Sequence, residues 1–99
     1  MRIYHIVLLE DWAAWDTDLY CPKSLDMEGF IHCSFEHQLG GVIERYYKGV
    51  EELVVLEIET DALMSRTVNE PSTANEIYPH IYGPINRDAI VSAVHRRLD

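Results

Sequence analysis

The sequence predicts a small α+β domain, and three observations carry that expectation. Short β-rich runs recur along the chain, at Arg2 to Leu8, Gly29 to Ser34, Leu53 to Ile58 and Ile77 to Tyr82. Between the second and third of them, about Phe35 to Lys48, the apolar residues follow a helical period rather than an alternating one. The 99 residues are 47% hydrophobic and 25% charged. That suits one ordinary core spanning residues 1–99 and leaves no room for a second.

Arg2 to Leu8 should be a strand with Ile3, His5 and Val7 on one face and Tyr4, Ile6 and Leu8 on the other. Glu10 and Asp11 then open a short helix, with acidic charge in the first turn where the helix dipole favours it. Trp12 and Trp15, three apart, share its buried face. Leu19 to Leu25 reads as an irregular connection broken by Pro22. The second strand, Gly29 to Ser34, places Phe30, His32 and Ser34 on one face and Ile31 and Cys33 on the other. Ser34 is then an N-cap for the main helix, with Glu36 in its first turn and Leu39, Val42, Ile43 and Tyr46 as its apolar stripe. Lys48 and Gly49 suit its C-terminal end.

Leu53 to Ile58 is nearly continuously apolar, as a central strand covered on both faces would be. Asp61 to Met64 reads as one helical turn, Thr67 to Glu70 as a short strand and Glu70 to Asn75 as a polar loop. Ile77 to Tyr82 is an aromatic strand in which Pro79 suggests an edge position or a bulge. Gly83-Pro84 ends it. The last segment has two readings: Asn86 can cap a helix, or Ala89 to Val94 can be a closing strand.

Composition narrows the partners. The longest apolar run, Leu53 to Leu56, is strand-sized, far short of the roughly 20 residues of a membrane span. The start of the chain lacks the apolar segment and cleavage site of a secretory signal. With Cys21 and Cys33 as the cysteines, reduced thiols in a cytoplasmic setting are expected. The formal charge is -9, from 17 acidic residues against 8 Lys and Arg. Such a surface repels phosphate backbones and anionic membranes, so neither nucleic acid nor a membrane is an expected partner. A small anionic ligand remains compatible with a locally less acidic site. Nothing in the sequence specifies an oligomeric state.

Chemistry is expected where three strands each set a histidine among apolar or aromatic neighbours. His5 shares a face with Ile3 and Val7, His32 lies between Phe30 and Ser34, and His80 stands between Tyr78 and Tyr82. An imidazole buried without a partner costs free energy, so each should meet a hydrogen-bonding group or a cleft. Neighbouring strands would bring the three faces to one pocket with aromatic walls and a few polar groups. The plainer account makes each histidine a satisfied core or rim residue, Tyr78 and Tyr82 core aromatics, and Glu70 and Glu76 solvated loop charges. A metal site from Cys21, His32, Cys33 and His37 is disfavoured, because adjacent strand residues point to opposite faces and no paired ligand motif exists. A Cys33 or Ser34 nucleophile lacks an elbow motif, and Ser34 already has a capping role.

Three strings extend this reading. Ile3-Tyr4-His5-Ile6, then Ser24-Leu25 leading to Glu28-Gly29-Phe30-Ile31-His32-Cys33-Ser34 with Gln38 after it, and Pro79-His80-Ile81-Tyr82-Gly83-Pro84-Ile85-Asn86 together resemble the small bacterial family catalogued as domain of unknown function nine-five-two. The resemblance covers essentially the whole chain. Through that family the chain is remotely similar to the ADP-ribosyltransferase superfamily, whose members bind NAD in a cleft between two small sheets. The resemblance implies a split-sheet domain with one main helix and one or two short ones, no required cofactor, and NAD or a related nucleotide as substrate. It implies that His5 contacts the ribose and that His32 and Ser34 line the nicotinamide pocket. Glu70, with Glu76 second, would stabilise the oxocarbenium-like centre, while Tyr78, His80 and Tyr82 complete the binding wall. The alternative is a non-catalytic module using the same histidine and tyrosine cleft for a small ligand or a protein.

Overall fold

The computed structural model describes residues 1–98, the side chain of Thr73 excepted, so Asp99, the last residue of the expected domain, lies outside them. The chain is a small α+β domain built mostly of strands. In chain order it forms β1 (Arg2–Leu8), α1 (Leu9–Ala14), β2 (Leu19–Tyr20), α2 (Lys23–Glu28), β3 (Ile31–His32), α3 (Leu39–Tyr46), β4 (Glu52–Glu59), β5 (Arg66–Pro71), β6 (Ile77–Tyr82), β7 (Ile85–Asn86) and β8 (Ile90–Arg97). The described strands make three antiparallel sheets, ordered β1-β4-β8, β3-β6-β5 and β2-β7.

The apolar run of β4 is explained by its central place. One face carries Val54, Leu56 and Ile58, which pack with Ile3 and Val7 of β1 against Ile31, Ile81, Ile85 and Ala89. The other carries Leu53 and Val55, which pack with Ile6 beneath Leu39, Val42, Ile43 and Tyr47. The β1 and β4 register, Ile3 with Ile58 through Leu8 with Leu53, keeps the two side-chain sets on separate faces.

Several expectations need correction. The second strand is only Ile31–His32, because Gly29 closes α2 in a left-handed conformation (φ 86°) and so cannot extend the strand. The connection from Leu19 to Leu25 is not irregular throughout: it holds β2 and the start of α2, with Pro22 immediately before that helix, where its fixed φ is suited. Ser34 does not cap the main helix. Its N–H and C=O are both bonded to Tyr4 at 2.8 Å, and the chain enters α3 through a single 3₁₀ turn, Glu36–Gln38. The Gln38 side chain holds that turn by accepting the Phe35 N–H at 2.9 Å. Tyr46 is exposed and Tyr47 takes its place in the core, beyond the end of α3.

Pro79 lies in the middle strand of its sheet, not at an edge. Its carbonyl accepts Cys33 N–H at 3.1 Å. In an extended strand a residue's N–H and C=O face the same side, so the missing donor falls beside the end of the short β3 and costs β5 nothing. The final segment is a strand, β8, with a register shift opposite Glu57 and Ile58. Asn86 ties loops together instead of capping a helix. Its Oδ1 accepts Met64 N–H at 2.9 Å, and its Nδ2 donates to Ala62 O at 2.9 Å and Asp88 Oδ1 at 2.5 Å. Asn86→Ala leaves these groups without their partner, and a loss of about 1–2 kcal/mol in urea unfolding is expected; a change within 0.3 kcal/mol or so would show water replacing the amide.

Candidate functional site

The two larger sheets, packed face to face through the core, are joined main chain to main chain by one isolated bridge among the described residues. Tyr4 of β1 and Ser34 form an isolated antiparallel bridge, beyond which β1 and β3 diverge. Alternation fixes what faces the divergence. Cys33 bonds Pro79 on one side and Ser34 bonds Tyr4 on the other, so the His32 main chain points towards β1. Its carbonyl is satisfied by a side chain instead of the ladder: His5 Nδ1 lies 2.7 Å from His32 O. A carbonyl only accepts, so Nδ1 carries the proton and Nε2 is left with its lone pair. The same alternation turns the Ile6 N–H and C=O towards the opening.

Burial is the dominant influence on His5. It drives the imidazole down from 6.5 to about 4, more than the bond to His32 O raises it, with the His32 charge lowering it further. At neutral pH the ring is an uncharged acceptor. It lines a cavity of about 290 Å³ together with Ile6, Tyr20, Ser24, His32, Ser34 and Tyr47. Tyr20 stands 5.7 Å from His5 between ring centres, and burial raises its hydroxyl to about 12, so it stays a donor.

A second cavity, of about 390 Å³, adjoins the first. His32, Ser34, Val42 and Tyr47 line both, and Cys33, Tyr46, Ser72, Tyr78 and His80 complete the second. The Tyr78 hydroxyl accepts from Arg45 Nη2 at 2.7 Å, which holds a cation behind the wall. His80 is 3% exposed. Its Nδ1 is 2.7 Å from Glu70 Oε1, and the Tyr82 hydroxyl donates to that same oxygen. Both bonds, Tyr82 first, hold the Glu70 carboxyl below its usual range, and Glu70 in turn raises Tyr82. Phe30 stacks on the His80 ring at 4.2 Å and 21°, and His32 meets it edge-on at 5.4 Å.

His5, His32, Ser34, Tyr78 and His80 thus stand around two joined cavities, His5 in one and His80 in the other, with His32 and Ser34 between. Glu70 and Tyr82 line neither: they lie behind His80. Glu76 serves structure, accepting from Gln38 Nε2 at 3.4 Å. The His32 to Glu28 contact of 2.9 Å is between half-exposed groups and contributes little. Burial pushes the Cys33 thiol up, which makes it a poor nucleophile. Among the described residues no group of three or more His, Cys, Asp or Glu could hold a metal ion, and no helix is long and apolar enough to cross a membrane.

Sequence reasoning missed Tyr20, Val42, Tyr46, Tyr47 and Ser72. Val42 carried a signal, since it lies on the predicted helix stripe, and the Tyr46-Tyr47 pair ends that stripe. Ser72 in a polar loop and Tyr20 beside Pro22 had none.

No curated protein matches the chain. The crystal structure of protein CC0527 from Caulobacter crescentus is similar over 100% of this chain and 89% of that one, with 26% identity and a TM-score of 0.85. The solution NMR structure of CC0527 is similar over 99% and 86%, at 26% identity and a TM-score of 0.77. The likeness therefore includes β2, β7 and the 29–34 segment, the parts that composition alone does not specify. A family model covers residues 6–93, from the seam at Ile6 through the histidine strands into β8, and the chain belongs to the family it describes, protein of unknown function (DUF952).

Proposed function

We propose that the joined cavities bind a dinucleotide of the NAD type and that the domain transfers its ADP-ribose, releasing nicotinamide. One observation carries this reading: the opening where β1 and β3 part, with an uncharged His5 fixed at its edge and main-chain groups of Ile6 facing it. A carboxamide is both donor and acceptor, which is what an unpaired strand edge recognises. A ribose hydroxyl donates to the Nε2 lone pair of His5, and the aromatic walls of Tyr20, Tyr46, Tyr47 and Tyr78 suit the two rings of such a ligand. Cavities of 390 and 290 Å³ lie at the lower end of small-ligand sites, one for each half of the molecule. The net charge of -9 opposes a phosphate-bearing ligand, and Arg45 behind Tyr78 offsets it locally.

Resemblance to the ADP-ribosyltransferases supports the same reading, with His5 as the ribose contact and orientation as its catalytic contribution. A second reading, binding without transfer, is favoured by Glu70 lying behind His80 and lining neither cavity. NMR titration distinguishes both from no binding. NAD or ADP-ribose should give saturable shifts at Tyr20, His32 and Tyr78 at or below about 1 mM, near 4 kcal/mol of affinity. His5→Ala should weaken this at least about tenfold, a loss of about 1.4 kcal/mol. Absence of shifts at millimolar ligand rejects the cleft as a nucleotide site. Mass spectrometry of NAD after incubation separates transfer, which releases nicotinamide, from binding alone.

A further inference from the structure

One buried side-chain nitrogen or oxygen has no partner among the described residues: Nε2 of His80. A sealed, unpaired ring nitrogen costs about 1–3 kcal/mol, so its persistence asks for a reason. The other side of the ring is fully committed. Glu70 is held ionised by Tyr82 and His80, an ionised carboxylate only accepts, and Nδ1 must therefore be the proton donor of the 2.7 Å contact. An uncharged ring held in this way has its lone pair on Nε2. His80 lines the 390 Å³ cavity and Glu70 does not; Nε2 is itself covered, so a hydroxyl from that cavity reaches it only when the side chains over it move aside. Phe30 stacked on the face keeps the ring from turning over.

We propose that His80 is a general base, that Glu70 positions it, and that the group it deprotonates is a hydroxyl, of water or of an alcohol acceptor, entering the 390 Å³ cavity. The inference rests on the reading of the cleft as an NAD-type site and adds the attacking group to it. As the hydroxyl oxygen bonds to the anomeric carbon of the ribose, the bond from that carbon to the nicotinamide nitrogen breaks. The bonding pair goes to the ring nitrogen and cancels its positive charge. The hydroxyl proton passes to Nε2 of His80, and the imidazolium is paired with the Glu70 carboxylate until it loses the proton to solvent. Glu70 of β5 and His32 of β3 contact the ring, Tyr82 of β6 shares the Glu70 oxygen, and beyond them Arg66 lies over Tyr82 and Glu28 of α2 pairs with His32. Of these, Glu70 is bonded to Nδ1, and none is bonded to Nε2.

The test joins a tautomer measurement to turnover. Nitrogen-15 NMR of the wild-type chain at pH 8 should show His80 with Nδ1 protonated and Nε2 bare, and Glu70→Gln should give a mixture of tautomers. His80→Gln should slow nicotinamide release at saturating NAD by about 100-fold or more, a fall in kcat well beyond any rise in KM. Glu70→Gln should lower kcat by roughly tenfold with KM unchanged. A proton on Nε2 in the wild-type protein overturns the proposal, as does full turnover by His80→Gln. NAD that binds and is never cleaved removes the general base and leaves the binding reading standing. NAD that does not bind removes the reading of the cleft, and the role of His80 with it.

Discussion

Lowering the pH from 7 to 4 is expected to cost the fold about 3 kcal/mol through His5 alone. The imidazole has a value of about 4 in the folded chain against 6.5 in the unfolded one, and burial is the largest cause. The proton decides the sign. Between 6.5 and 4 the unfolded chain binds a proton that the native chain refuses, so stability falls as pH falls across that window. The contribution is complete above 6.5 and gone below 4. A fall from 6.5 to about 4 is worth about 3.4 kcal/mol in full, of which about 3 kcal/mol is lost by pH 4, where half of the folded chains have taken up the proton. Urea unfolding of wild type and His5→Gln at intervals from pH 8 to pH 4 isolates this group, because only the wild type should show the added slope between 6.5 and 4. Parallel curves for the two proteins would mean that His5 is hydrated and ordinary. Glu59 moves differently: the N-terminal ammonium, the Asp61 N–H and Arg2 hold it at about 2, so the stability it contributes is lost below its unfolded value of 4.5. The two effects occupy separate windows, and a wild-type curve that begins to fall near pH 6.5 reports the histidine.

The sequence made His5 visible as a candidate and concealed why it matters. Alternation in Arg2 to Leu8 set Ile3, His5 and Val7 on one face, and β1 has that face inward. What the pattern does not contain is the parting of β1 from β3, which turns one imidazole into a substitute for a ladder bond. That parting depends on Gly29, whose left-handed backbone delays the strand, and on Ser34, whose main chain is drawn to Tyr4. Both residues have commoner local uses, as a strand end and a helix cap, and tertiary pairing overrode them. The continuous apolar run of β4 was legible because a strand covered on two faces has no polar side to show. β2 and β7 were not, since Leu19–Tyr20 and Ile85–Asn86 pair over two residues and leave no period to detect. Glu70 was found as an acid of the late strands, but its position behind His80 follows from the β5 and β6 register, Glu70 opposite Tyr78. Composition cannot carry a register. Tyr47 packs on the core in place of Tyr46 because α3 ends at Tyr46 and the Tyr47 backbone is no longer helical, so the period that Leu39, Val42 and Ile43 obey stops one residue short.

Leu56→Ala is expected to destabilise the domain by about 2–5 kcal/mol and to lower Tm by more than 10 °C or so. Leu56 is fully buried in the middle strand, opposite His5 in β1 and Ala93 in β8. Its small neighbour Ala93 offers no bulk to fill the space, and the β1 and β8 ladders on either side hold the backbone apart, so the site can collapse only in part. Val91→Ala, on an exposed residue of β8, should change stability by less than about 0.5 kcal/mol and serves as the contrast. The cavity also opens beside the seam. Leu56 and His5 share a face of the sheet, and truncation removes part of the apolar surround that keeps the imidazole uncharged. Water admitted there lessens the desolvation that dominates the His5 shift, so the His5 value should rise from about 4 back towards 6.5. The acid-induced loss of stability should then be smaller in Leu56→Ala than in wild type, even though the variant starts from a lower stability. Histidine titration by NMR measures the shift directly. An unchanged His5 value together with a loss of less than about 1 kcal/mol would mean that the core closes over the deleted methyl groups without disturbing the seam.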